Sequence, residues 1–170
     1  MNQIFDASEL TIRPARKEDL PAIRAIFETA VRYMRAEGNM TQWAGEGFPG
    51  DRAPRDIEKG QLFVGADSED APHFVFAFII GDDPTYTVIE DGKWPSDAPY
   101  GTIHRAAHDE YVHGVMRTIV PWCLEKIPTV RCDTHAANRT MQKRLLECGF
   151  TYCGIIYVAD GSPRKAYQLG

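Results

Sequence analysis

What this chain of 170 residues lacks narrows it before anything it contains. No apolar run approaches the roughly 20 residues that cross a bilayer, so no membrane-spanning helix is expected. Positive charge is not in excess. The formal net charge is -5, which argues against nucleic acid as a partner, because neutralising phosphates needs a basic face. Internal repeats and low-complexity tracts are missing, which excludes solenoids and compositionally disordered chains. Cysteine is scarce. Cys123, Cys132, Cys148 and Cys153 follow no metal-ligand spacing, and the polar, acidic opening from Met1 to Leu10 is unlike a secretory leader. Free, buried thiols in a reducing cytoplasm are therefore expected.

What is present is the composition of a soluble globular protein, 44% hydrophobic and 25% charged. The length suffices for one sizeable core, so a single domain over residues 1–170 is expected. Leu10 to Pro14 alternates like a strand, and Leu20, Ile23, Ile26, Phe27 and Ala30 recur at helical spacing after Lys17. Four glycines and a proline break the stretch from Gly38 to Gly50. Pro54 to Glu58 reads as a short helix, and Gln61 to Gly65 and Phe74 to Ile80 read as neighbouring strands. Residues 81–99 read as a long connection with a brief strand at Thr85 to Ile89. Tyr100 to Ala107 is the next strand, followed by a helix from Val115 to Lys126 that Pro121 should kink or break. Thr129 to Asp133 precedes a helix opened by Asn138 and closed at Cys148-Gly149. Phe150 to Val158 and Lys165 to Leu169 close the chain as two antiparallel strands. This order predicts an α/β fold with a mixed central sheet of about six to seven strands and helices on both faces.

The run RCDTHAANRTMQKRLLECGF, residues 131–150, carries the most information. It resembles the second half of the acetyl-CoA-binding core of the Gcn5-related N-acetyltransferases, the GNAT superfamily. Thr41-Gln42-Trp43, Gly47-Phe48-Pro49, Asp56-Ile57 and Gly60 are similar to the "QW…YP…DI…G" signature of one bacterial branch. Ile103-His104-Arg105 resembles its "IHR" strand, and Asp133-Thr134-His135, Asn138 and Met141-Gln142 its "DTH…N…MQ" segment. The resemblance runs from Leu10 to Leu169 and implies a GNAT fold and an N-acetyltransferase. Such an enzyme moves acetyl from acetyl-CoA to a primary amine of a small molecule or peptide. A homodimer is a family-level expectation.

One departure bears on function. The family's pyrophosphate loop, Gln/Arg-x-x-Gly-x-Gly/Ala, aligns with Tyr111-Val112-His113-Gly114-Val115-Met116, where only Gly114 matches. A helix N-terminus can still cradle a diphosphate through backbone N–H groups, so Val112, His113, Gly114, Val115 and Met116 are the expected cofactor residues. Met116 puts bulk where the family keeps the backbone close to the cofactor. By the same resemblance the pantetheine arm meets the backbone of Ala106 and Ala107. Asn138 either bonds that arm or caps its helix. An eroded loop also admits an alternative from another class, a catalytically silent CoA- or ligand-binding module.

Acetyl transfer to an amine needs a bound thioester, a proton acceptor and oxyanion stabilisation. His104 is the candidate base, since imidazole titrates near neutral pH; the alternative is a strand histidine satisfied by a backbone carbonyl. Alternation along a strand would send His104 and Arg105 to opposite faces. Gln42, Trp43 and Phe48 fall where the family builds the acceptor wall, with Arg105 and His135 as further acceptor-side candidates. Trp43 either stacks on the substrate or anchors its loop to the core, and His135 either holds the turn to Asn138 or reaches the acceptor. Many relatives carry a tyrosine general acid seven residues after the Asn; here that position is Leu145. No metal is expected.

Overall fold

The computed structural model describes residues 3–170. Along the chain run β1 (Phe5–Asp6), β2 (Thr11–Pro14), α1 (Leu20–Ala36), α2 (Ala53–Glu58), β3 (Leu62–Ala66), β4 (Pro72–Ile80) and β5 (Gly101–His108). There follow β6 (Val112–His113), α3 (Val115–Leu124), β7 (Val130–Thr134), α4 (Arg139–Glu147), β8 (Thr151–Tyr157) and β9 (Pro163–Leu169). Seven strands hydrogen-bond in the order β2-β3-β4-β5-β7-β9-β8, and β1 pairs with β6 as a separate ladder. This mixed sheet with helices is the α/β architecture expected. Among the described residues no helix is long and apolar enough to cross a membrane.

Two compact units emerge, each with its own core. The first holds the residues up to Phe78 together with Arg105–Thr118. Its strands β2, β3 and β4 form an antiparallel meander, with Thr11 opposite Ala66 and Leu62 opposite Ala77. Ile23, Ile26 and Phe27, one stripe of α1, pack into a core with Leu62, Val64, Val75 and Ala77. Spacing of three and four residues brings these side chains to one helix face. The helix proper starts at Leu20, after a 3-10 turn over Lys17–Asp19; Pro21 fits the first turn, where its missing N–H has no partner to lose. β1 and β6 pair in parallel, Phe5 with Val112 and Asp6 with His113. Two-residue strands leave almost no periodic signal, and neither was visible in the sequence.

The second unit comprises Ile79–His104 and Ile119–Gly170. Gly101 to Ile103 of β5 run parallel to Val130 to Cys132 of β7. β9 then pairs antiparallel with both β7 and β8. Residues 81–100 form a strap rather than a strand. Pro84–Tyr86 is a single 3-10 turn, because the Asp83 side chain caps it by accepting the Thr85 N–H. That capped turn replaces the expected strand at Thr85 to Ile89. Tyr86 and Tyr100 of the strap pack with Ile156 and Ala166. Glu90 bridges Ile155, beside a register shift at Gly154. Gly154 has φ 147, and a Cβ there would lie 2.5 Å from the Glu90 carbonyl oxygen, so glycine is what lets the strap approach β8.

α3 continues through Pro121 to Leu124, so the proline removes one rung near the helix end without breaking it. All four cysteines are free, with Cys123, Cys132 and Cys153 buried.

Candidate functional site

In the first unit, the segment after β5 leads through β6 to the start of α3. Gly114 has φ 75, and a Cβ on it would meet the Arg117 guanidinium at 2.6 Å. The left-handed backbone is what calls for glycine here; the exposed Arg117 side chain could swing aside. α3 starts at Val115, so the N–H groups of its first turn lack partners inside the helix. Arg117 and His113, both exposed, stand beside this turn, and Asp6 forms an ion pair with Arg117. Amides without intrahelical partners, a left-handed glycine and the Arg117 guanidinium suit a diphosphate. Val112, Val115 and Met116 are buried. The Met116 side chain is 6% exposed, so its bulk is packed inward rather than standing over the loop in solvent. Ala107 belongs to the core beneath α1, and Ala106 is half-buried.

The acceptor-side candidates of this unit are held by the protein itself. Arg105 has φ 51, a left-handed conformation inside a strand that only tightly determined surroundings sustain. That residue interrupts the extended backbone within β5. The Arg105 guanidinium donates to Asp56 at 2.8 Å, and Asp56 is buried. This acid is thus neutralised, not solvated. Gln42 is buried and accepts from the Asn39 amide at 2.7 Å. Trp43 packs edge-on against Phe27 at 5.8 Å and onto the core under α1. Phe48 is half-buried, with Arg52 5.8 Å from its ring centroid.

The second unit holds His104 in a carboxylate frame. Its Nε2 lies 2.8 Å from Asp83 Oδ2. An ionised carboxylate only accepts, so Nε2 carries the hydrogen and Nδ1 keeps its lone pair. Nδ1 is 4.0 Å from Asp133 Oδ1, beyond hydrogen-bond range, and that oxygen already accepts the Tyr86 hydroxyl at 2.6 Å. Burial would raise the Asp83 carboxyl, but hydrogen bonds from His104 and from the Thr85 hydroxyl and N–H hold it down at about 2. Burial and the neighbouring Asp133 push the Tyr86 phenol well above its ordinary range, so it stays a proton donor to Asp133. The strand-histidine alternative placed a backbone carbonyl where Asp83 stands.

Asn138 caps α4, its side chain accepting the Met141 N–H at 3.0 Å. His135 Nδ1 accepts the Ala137 N–H at 3.0 Å, and its carbonyl accepts the Asn138 N–H. Burial and Arg164 lower the His135 pKa, so this ring is neutral and used in the turn. Leu145 is fully buried. Burial raises every cysteine thiol, Cys123 to about 12, which leaves no thiolate nucleophile at neutral pH. No cluster that could hold a metal occurs among the described residues.

Asp83 and Tyr86 escaped the sequence reading. The Asp83-Pro84 pair announces a turn, but nothing local distinguishes a turn acid from one that reaches a histidine 21 residues away.

No protein-family model and no curated protein matches the chain. Solved structures do. An acetyltransferase of the GNAT family from Streptococcus agalactiae 2603 is 32% identical, with 94% of each chain covered and a TM-score of 0.83. A GNAT-family acetyltransferase from Listeria monocytogenes 4b F2365 shares the fold at 20% identity, covering 94% of this chain and 93% of its own, with a TM-score of 0.68. A chain of the NatC complex bound to Gag peptide and CoA shares it at 11% identity, covering 95% and 98%, with a TM-score of 0.62.

Proposed function

Because the chain belongs to the GNAT family of acetyltransferases, we propose that it moves an acetyl group from acetyl-CoA to a primary amine of a small molecule or peptide. Acetyl-CoA supplies the activated thioester. Across the whole reaction the amine nitrogen gains a bond to the acetyl carbon and the carbon–sulfur bond breaks; of the two protons the ammonium loses, one goes to solvent and one to the sulfur, so that CoA leaves as the thiol.

The first turn of α3, with Gly114 and the flanking His113 and Arg117, would receive the diphosphate through orphan amides and positive charge. The backbone of Ala106 and Ala107 and the Asn138 side chain would take the pantetheine arm. His104 is the proton acceptor. The observation that carries this role is its Nδ1, left without a hydrogen-bond partner among the described residues while Asp83 fixes the other nitrogen. A base oriented by a carboxylate and left with one free lone pair suits general base catalysis. The ring lies between the Asp83 and Asp133 carboxylates, 2.8 and 4.0 Å from its two nitrogens. The same two acids favour a cationic acceptor. Gln42, Trp43, Phe48, Arg105 and His135 would shape the acceptor side, chiefly by fixing backbone, since each already engages the protein.

The test is His104→Gln in an assay of CoA thiol release. Loss of a general base lowers turnover by roughly 100-fold or more, with the Kd for acetyl-CoA unchanged. An undiminished rate with the same pH profile would remove His104 from the mechanism.

A further inference from the structure

His73, in the first unit, is held in a way that His104 is not. Both of its ring nitrogens face carboxylates. Nδ1 lies 2.7 Å from Asp109 Oδ2, and Nε2 lies 3.1 Å from Asp67 Oδ2. A neutral imidazole has one N–H, so it can donate to only one of these acids and turns a lone pair on the other. Only the imidazolium satisfies both. Burial would lower the pKa of this ring, but hydrogen bonds to Asp67 and Asp109 outweigh it and the pKa is raised.

Each aspartate uses its second oxygen on backbone. Asp67 Oδ1 accepts the N–H groups of Glu69 and Ala71, at 2.9 and 3.0 Å, shaping the turn from β3 to β4. Asp109 Oδ1 accepts the Tyr111 N–H at 2.8 Å, and the Asp109 N–H donates to the His73 carbonyl at 2.9 Å. Tyr111 in turn accepts the Phe5 N–H at 2.8 Å, and the Phe5 ring lies 4.9 Å from the imidazole. One proton on His73 thus ties the β3–β4 turn to the first residue of the 111–116 segment. Of the other charges of that turn, Asp70 pairs with Arg13 and Arg16, and the Glu69 side chain is exposed.

We propose that protonated His73, clamped between Asp67 and Asp109, is a positioning residue that holds the 111–116 segment in the shape that receives the diphosphate of acetyl-CoA. The inference rests on the cofactor reading above. It also accounts for how a loop retaining only Gly114 of the family pattern keeps its form: side chains from two other segments hold it where local glycines do not. Raising the pH removes the proton and leaves one aspartate facing a lone pair, so the tie between the β3–β4 turn and Tyr111 is broken at one of its two acids. Affinity for acetyl-CoA then falls, whereas turnover at saturating acetyl-CoA, which depends on His104, persists.

Calorimetric titration of acetyl-CoA into the full chain between pH 7 and 9 tests this, with wild type, His73→Gln and Asp67→Asn compared. In wild type the Kd should rise with pH by roughly tenfold, the size of an ordinary coupling between sites. His73→Gln should bind at the weakened level throughout, with a flat profile and an unchanged kcat. Asp67→Asn removes one of the two acids, so the rise in Kd should begin at lower pH; this variant serves if His73→Gln does not fold. Equal Kd values and equal pH slopes in wild type and the variants overturn the inference while leaving the cofactor reading intact. A wild type that binds no acetyl-CoA at any pH overturns both.

Discussion

Among the described residues His73 and His104 each hydrogen-bond to aspartates, whereas His113 lies 3.6 Å from Asp6, and the count of free nitrogens separates the roles of the first two. His104 spends Nε2 on Asp83 and keeps Nδ1; His73 spends both. Composition alone treats them alike, since each is an imidazole on a strand with acids elsewhere in the chain. Met116 makes a similar point. In sequence it stands where the family keeps a small residue, which suggests an obstruction. Folded, its side chain is buried with Val115 and Val112. We therefore expect Met116→Ala to cost about 2–4 kcal/mol of stability through the cavity it leaves, with no gain in acetyl-CoA affinity. Thermal unfolding and an acetyl-CoA titration of the variant check both halves. Tighter binding would mean that the methionine does crowd the cofactor.

At the scale of elements, the strap over residues 81–100 supplies what the motif-bearing strands do not. Asp83, the cap of its 3-10 turn, and Tyr86, the last residue of that turn, frame His104 and Asp133. Arg131 fastens the strap further along: its guanidinium sits 3.9 Å from the Trp94 ring centroid and 4.0 Å from that of Tyr100. It also donates to the Ser96 carbonyl and the Gln168 side chain at 2.9 Å each. Arg131→Met should cost about 3 kcal/mol, from two lost cation–π contacts and two acceptors left unpaired. Because the strap positions Asp83, kcat should fall with it while acetyl-CoA affinity holds. Denaturant titration and steady-state kinetics measure this; a stability loss with kcat intact would make the staple purely structural. The amphipathic helices and most strands were legible because periodicity and caps are local, as at Ile23, Ile26 and Phe27 or at Asn138. The strap and the β1–β6 ladder were not. Their stability comes from partners far along the chain, such as Phe5 with Val112 and Glu90 with Ile155, and a window of sequence cannot contain both partners.

For the molecule as a whole, the pH dependence of stability follows from groups in both units. Asp83 titrates at about 2 in the fold against an ordinary 3.8, and Asp67 is lowered as well. A depressed carboxyl stabilises above its unfolded pKa and loses that contribution as pH falls through the folded value, so stability should decline below pH ~4. His73 has the opposite sign. Its folded pKa is raised, so its contribution is complete below the ordinary value near 6.5 and fades as pH rises through the folded one. Melting temperatures across pH 3 to 9 should thus trace a dome whose alkaline shoulder flattens in His73→Gln. A shoulder unchanged by that substitution would assign it to other groups. The central claim is the acetyl transfer itself. It is tested most directly by incubating the protein with acetyl-CoA and a panel of cationic primary amines, then measuring CoA thiol release and the masses of the amines. The account predicts amine-dependent release with one acetyl group added per thiol formed. Saturable acetyl-CoA binding with no amine acetylated would contradict it and leave a cofactor-binding module on an acetyltransferase fold.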